Sequence, residues 1–250
     1  MSFYYYNNTA NAGFIMMAKN ASTSIEPYLN GTGFKQTTLD DLQNIMKDSK
    51  WFYILRNPID RFCSGVVETY LAVNENQYGA FGASPTQKAL MALSDFAAQE
   101  FCFNLLARIP AYNSKDRKPE GNIPVNEGLG YTEDVHTMLQ STYLNEANLF
   151  NLDIIPVSMY RSNDLPLILK SELNIAENYS NRLLKDTVKN YNVSDGDKKR
   201  MNKNLKEILV ANKEIAVFRH IWDYLAPDIQ LWNGNIDRRY MASHHANEIL

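Results

Sequence analysis

Twice near its start this chain passes from a short apolar run, through a polar turn bearing a cation, into a segment that opens a helix. The first instance is Phe14-Ile15-Met16-Met17, followed by Ala18-Lys19-Asn20-Ala21-Ser22-Thr23-Ser24-Ile25. The second is Trp51-Phe52-Tyr53-Ile54-Leu55, followed by Arg56-Asn57-Pro58-Ile59-Asp60-Arg61-Phe62-Cys63-Ser64-Gly65. Such runs are too short to be helices of their own and read as central strands. Strand, turn and helix repeated in this way predict an α/β fold with a small parallel sheet flanked by helices.

Each turn has the chemistry of an anion site. Ser22, Thr23 and Ser24 supply helix N-caps. The N–H groups left unbonded at a helix start, together with the positive end of its dipole, attract an anion. Lys19 adds a mobile point charge. The layout is P-loop-like, although no Gly-x-x-x-x-Gly-Lys-Ser/Thr run occurs in the chain. In isolation, a plain strand-to-helix turn with a surface lysine reads equally well. In the second segment Pro58 suits the first position of a helix. Arg56, at the strand's end, faces the crevice where open α/β sheets bind ligands, and its guanidinium can grip a phosphate with two parallel bonds. Ser64 falls two turns into the helix. Arg61 reads as structural, paired with Asp60, Glu68 or a helix terminus. Two such turns on neighbouring strands suit a ligand with phosphates at both ends.

Lys19-Asn20-Ala21-Ser22-Thr23-Ser24 resembles the 5′-phosphosulfate loop of sulfotransferases that use 3′-phosphoadenosine 5′-phosphosulfate (PAPS). The stretch from Arg56 to Gly65 resembles their 3′-phosphate motif, typically Arg-Asp-Pro-x-x-Arg-x-x-Ser. The loop is most similar to the carbohydrate branch, which includes heparan sulfate 2-O-sulfotransferases. The resemblance implies that Lys19, Ser22 and Thr23, with the loop residues Asn20, Ala21 and Ser24, hold the 5′-phosphosulfate. It implies that Arg56 and Ser64 hold the 3′-phosphate. The chain departs from the pattern at Asn57, where the family usually has an acidic residue, and at Ala18, where proline is common. Farther on, Asp134 to Leu144 resembles the family's His-x-x-x-Gln segment, with His136 and Gln140 in those places. Leu152 to Tyr160 reads as the last core strand, and Asn163 or Asp164 would cap a helix from Leu165 to Leu173.

The reaction implied is sulfuryl transfer from PAPS to a hydroxylated acceptor such as a glycan, leaving adenosine 3′,5′-bisphosphate. Lys19 would stabilise the charge that grows on the leaving oxygen. A general base must take the acceptor's proton. Relatives use a histidine between the two motifs, and this chain has none between Ser24 and Trp51. Glu26, one turn into the first helix, and His136 are the candidates; Asp40 and Asp41 read as helix-start residues. Two other readings stay open: a kinase-like phosphate-handling enzyme, and a non-catalytic relative that binds a nucleotide or glycan.

A chain of 250 residues with 45% hydrophobic and 21% charged residues suits one α/β domain over 1–250, with a helix-rich C-terminal half. The net charge of −3 gives no nucleic-acid footprint. Lys198-Lys199-Arg200 and the Lys115, Arg117, Lys118 loop could line a basic cleft, but solvated surface charge explains them as well. Cys63 and Cys102 show no metal-ligand spacing and read as reduced core residues. No metal is required. No apolar run approaches bilayer length, and the expectation is a soluble cytoplasmic protein of microbial or viral source. Residues 1–12 read as a polar, tyrosine-rich lead-in. Helices are expected to about Asn30-Gly31, from Leu39 to Met46, from Pro58 to about Val73, from Ser84-Pro85 to about Ile109, and over 195–225. The long helix carries apolar Leu90, Leu93, Phe96, Ala97 and Phe101 on a helical period. The last should turn Leu205, Ile208, Leu209, Ile215 and Phe218 inward. Residues 110–131 read as a long loop, either a binding loop or a disordered insertion.

Overall fold

The structure, a computed structural model, describes residues 3–20, 22–38, 41, 49–70, 94–109, 131–132, 134–148, 153–158 and 196–235. It divides into two compact units. The first comprises Met1–Asn57, Gln140–Val193 and Asp228–Leu250; the second comprises Pro58–Leu139 and Ser194–Pro227.

The first unit is built on a five-stranded mixed sheet. Its strands are β1 (Phe3–Asn7), β2 (Ala12–Met16), β3 (Lys35–Thr37), β4 (Lys50–Leu55) and β5 (Asp153–Ser158), in the order β3-β1-β2-β4-β5. The strands β2, β4 and β5 are parallel, as the repeated strand–turn–helix pattern requires. The sheet is nevertheless not purely parallel, because β1 runs antiparallel to both β2 and β3. The segment read as a lead-in is therefore a strand. Tyrosine packs well on a pleated surface, and Tyr4 and Tyr5 are buried there. Asn11, at φ 48°, takes the left-handed conformation that lets the hairpin close from Asn7 to Ala12.

Both faces of the central strands are covered, which is why β2 and β4 read as unbroken apolar runs. On one face Ala12, Phe14, Met16, Phe52, Ile54 and Val157 join Ile25, Tyr28 and Leu29 of helix α1 (Ser22–Gly31) in a single core. On the other face Trp51 stacks on Tyr6 with ring centroids 6.0 Å apart. Trp51 lies so close over Gly13 that a Cβ there would sit 2.3 Å from the indole ring. Thr38 and Asp41 bond each other reciprocally: the Asp41 carboxylate accepts the Thr38 hydroxyl at 2.6 Å, and the Asp41 N–H donates to that hydroxyl at 3.2 Å. This is the pattern of a helix start, as read for Asp41. Asp40 and the rest of the expected 39–46 helix lie outside the described residues.

The second unit is helical. It contains α2 (Pro58–Tyr70), α3 (Asp95–Arg108), α5 (Gly196–Ala211) and the part of α6 (Ala216–Asn235) up to Pro227. The helix α4 (Gln140–Asn148) belongs to the first unit. Within the described residues, the long helix expected up to Ile109 starts at Asp95, where the extended backbone (ψ 157°) and hydroxyl of Ser94 cap α3. Its buried residues are Ala98, Cys102, Leu105 and Leu106; Ala97 and Phe101 are half-buried, Phe96 is 78% exposed, and Leu90 and Leu93 lie outside the described residues. The expected last helix is two helices, and Ile215 lies exposed between them while Leu205, Leu209 and Phe218 are buried. Both cysteines are buried and unbridged, and burial pushes the Cys102 thiol up to about 12, which keeps it a neutral, unreactive group. Among the described residues, no helix is long and apolar enough to cross a membrane. The expected 165–173 helix and residues 110–130 lie outside the described residues.

Candidate functional site

In the first unit β2 and β4 pair in register from Ala12 opposite Lys50 to Ile15 opposite Tyr53, so their carboxyl ends lie level. The turn after β2 and the residue after β4 therefore meet. The Arg56 guanidinium donates from Nη1 to the Lys19 carbonyl at 2.7 Å. Lys19 itself has φ 65°, in the left-handed region that a residue with a side chain rarely adopts. The turn is closed by a bond from the Asn20 N–H to the Met17 carbonyl at 3.3 Å, and α1 begins two residues later at Ser22. Lys19 and Arg56 are both half-buried, so neither cation is fully stripped of water. Two cations beside the first turn of a ten-residue helix make an arrangement that can hold an anion.

Asn20 stands apart from its neighbours in the turn. Its side chain is buried, and Nδ2 donates to the Ile54 carbonyl at 2.6 Å and to the Gln140 Oε1 at 2.7 Å. Its amide thus holds the turn to β4. Ala21 lies outside the described residues, and Ser22, Thr23 and Ser24 are placed only as the first residues of α1.

Gln140 is a residue that sequence reasoning left without a role. It is fully buried at the start of α4. Its Oε1 accepts the Arg56 N–H at 2.9 Å, and its Nε2 donates to the Arg56 carbonyl at 3.0 Å. Its own N–H donates to Asp228 Oδ2 at 2.7 Å, and the next N–H, of Ser141, donates to Asp228 Oδ1 at 2.8 Å. A buried carboxylate from α6 thus caps α4 from outside that helix. Burial, and then the charge of Asp228, push the Tyr53 hydroxyl well above its ordinary range. The only sequence signal for Gln140 was its place in the His-x-x-x-Gln segment. Asp228, inside a helix, gave none.

The two candidate bases are placed differently. Glu26 is on the outer side of α1 and accepts a 2.5 Å bond from the Tyr5 hydroxyl. Burial, then that bond and the charge of Glu26, raise Tyr5 far above its usual value. His136 belongs to the second unit and lies in a turn, not on a helix. Its Nδ1 is 3.0 Å from Asp134 Oδ1, its N–H donates to the same oxygen at 2.8 Å, and the Thr69 hydroxyl adds a third bond at 2.9 Å. Burial works to raise Asp134, but these bonds and the imidazole charge outweigh it and hold the carboxyl below its ordinary range. The turn rests directly on α2, because a Cβ at Gly65 would lie 2.4 Å from the His136 carbonyl oxygen.

Ser64 is half-buried on α2, also in the second unit. Arg61 is the structural residue expected. Its guanidinium is buried and bonds the Met138 carbonyl through Nη1 and the Val135 carbonyl through Nη2, so it ties the 134–138 turn to α2. The candidates thus separate into Lys19, Asn20, Glu26 and Arg56 in one unit, and Ser64 and His136 in the other. Comparison with family models, with curated proteins and with solved structures finds no match to the chain.

Proposed function

We propose that the chain is a PAPS-dependent sulfotransferase with a P-loop-like core, moving a sulfuryl group to a hydroxyl acceptor. The observation that carries this reading is the 2.7 Å bond from Arg56 to the Lys19 carbonyl. It joins two turns that a ligand with separate phosphates would need side by side, in the order in which the two motifs run along the chain. The half-buried cations and the start of α1 suit the 5′-phosphosulfate at Lys19 and the 3′-phosphate at Arg56.

In the step itself an acceptor oxygen bonds to sulfur, and the bond from sulfur to the 5′-phosphate oxygen breaks. That oxygen keeps the electron pair and departs in adenosine 3′,5′-bisphosphate. Lys19 stabilises the charge growing there, and Glu26 or His136 takes the acceptor proton. The chemistry of the acceptor as a carbohydrate rests on the resemblance of the loop alone.

The test is twofold. Calorimetry compares adenosine 3′,5′-bisphosphate with adenosine 5′-phosphate, and mass spectrometry screens PAPS against hydroxylated small molecules, glycans and peptides. Tighter binding of the bisphosphate and a sulfated product are expected. Equal affinity for the two nucleotides sinks the second phosphate site. A non-catalytic nucleotide binder is the second reading, favoured by the hydrogen bonds that already engage Glu26 and His136. Nucleotide binding with no sulfated product from any acceptor would establish it.

A further inference from the structure

We infer that Gln140 is a positioning residue for the anion site, holding Arg56 and the Lys19 turn in their ligand-ready arrangement; the inference rests on the function proposed above. The reason begins with the sheet. The β4–β5 ladder ends at Leu55 opposite Ser158, and the β2–β4 ladder ends before it, at Tyr53. Arg56 is thus the first residue of its strand beyond both ladders. The Gln140 side-chain amide takes the place of the missing strand. Its Oε1 accepts the Arg56 N–H at 2.9 Å and its Nε2 donates to the Arg56 carbonyl at 3.0 Å, the pair of bonds a neighbouring strand would make.

The same oxygen reaches the other turn. Gln140 Oε1 accepts Asn20 Nδ2 at 2.7 Å, and that nitrogen also donates to the Ile54 carbonyl at 2.6 Å. One buried amide therefore fixes the main chain of Arg56 and the residue that follows Lys19. A left-handed residue with a side chain persists only where its surroundings over-determine it. Around Lys19 they do: Arg56 holds its carbonyl and Asn20 anchors the peptide beyond it. Gln140 is in turn held by Asp228, which accepts its N–H at 2.7 Å and lies 3.4 Å from Nε2. The orientation of the amide is set on both sides, since its oxygen meets only donors and its nitrogen only acceptors. Gln140 is fully buried, so its effect on a ligand is transmitted through Arg56 and Lys19.

The experiment is a double-mutant cycle read by calorimetry with adenosine 3′,5′-bisphosphate, with thermal unfolding followed in parallel. Gln140→Met keeps the length of the side chain and removes every bond of the amide. It is expected to weaken the nucleotide about tenfold when Arg56 is present and to have little further effect in an Arg56→Ala background. The thermal destabilisation should persist in both backgrounds, which separates positioning from folding. Gln140→Glu is the second variant: it keeps the acceptor oxygen but sets a second oxygen against the Arg56 carbonyl and the Asp228 carboxylate, so a loss at least as large as that of Gln140→Met is expected. Undiminished affinity in folded Gln140→Met protein, or the same fold-loss with and without Arg56, overturns the assignment and leaves the proposed function standing. Absence of nucleotide binding by the unaltered chain overturns both, and is read on that protein alone.

Discussion

At the residue scale the contrast between Lys19 and Arg56 is one of geometry. Lys19 offers a compact charge from a strained turn, while Arg56 offers a planar fork with one donor already committed to the Lys19 carbonyl. Arg56→Lys is therefore not conservative. It should lower adenosine 3′,5′-bisphosphate affinity by about 1–3 kcal/mol, the range for a charge-assisted contact. Calorimetry showing unchanged affinity would place Arg56 outside the site. The base is also decided at this scale. Glu26→Gln and His136→Asn each preserve shape and remove a proton acceptor. Asp134 at 3.0 Å orients the imidazole of His136, whereas Glu26 accepts a hydrogen bond from the Tyr5 hydroxyl at 2.5 Å. The variant that abolishes sulfate transfer and keeps nucleotide affinity identifies the base; full activity in both removes both residues from the role.

At the scale of elements, α3 shows how apolar residues on a helical period need not all lie on the face that packs. Phe96 and Phe101 invite an apolar stripe, yet the face that packs is Ala98, Cys102, Leu105 and Leu106. The helix lies against α5, and small residues let it approach. Leu105→Ala should cost about 2–5 kcal/mol as a buried cavity mutation. Phe96→Ala, at 78% exposure, should change stability by no more than about 0.5 kcal/mol. Urea unfolding of the two variants compares them directly, and a larger loss for Phe96 would mean that the face is inverted.

For the molecule as a whole, pH should act through two groups of the second unit. The His220 imidazole is partly desolvated although the residue as a whole is exposed, which holds it below its ordinary value, so its protonation favours the unfolded chain only weakly as pH falls below about 6.5. Asp134 is depressed in the folded state. Its contribution is complete above the unfolded value of about 3.9 and is lost as pH falls from there through the folded value. Stability should therefore decline in two stages on acidification. Asp134→Asn should be less stable at neutral pH and should lose less on going below about pH 4. Chemical denaturation across pH reads this as a flatter acid limb; an unchanged limb would show that Asp134 does not govern it.

Sequence alone determined the two strand–turn–helix units, because their signals are local. Strands buried on both faces must be continuously apolar, and a helix start must carry caps, so β2, α1, β4 and α2 are legible within a few residues of each site. The nearness of Lys19 and Arg56 followed from parallel pairing of those strands. Tertiary structure alone decided that Phe3–Asn7 is a strand, since tyrosines become core only when a sheet is present to bury them. It also decided the face of α3 that packs and the roles of Gln140 and Asp228. Arg56 and Gln140 stand 84 positions apart, and Gln140 and Asp228 stand 88 apart. A buried amide or carboxylate takes its meaning from the donors and acceptors brought to it, and no periodicity along the chain encodes partners at that distance.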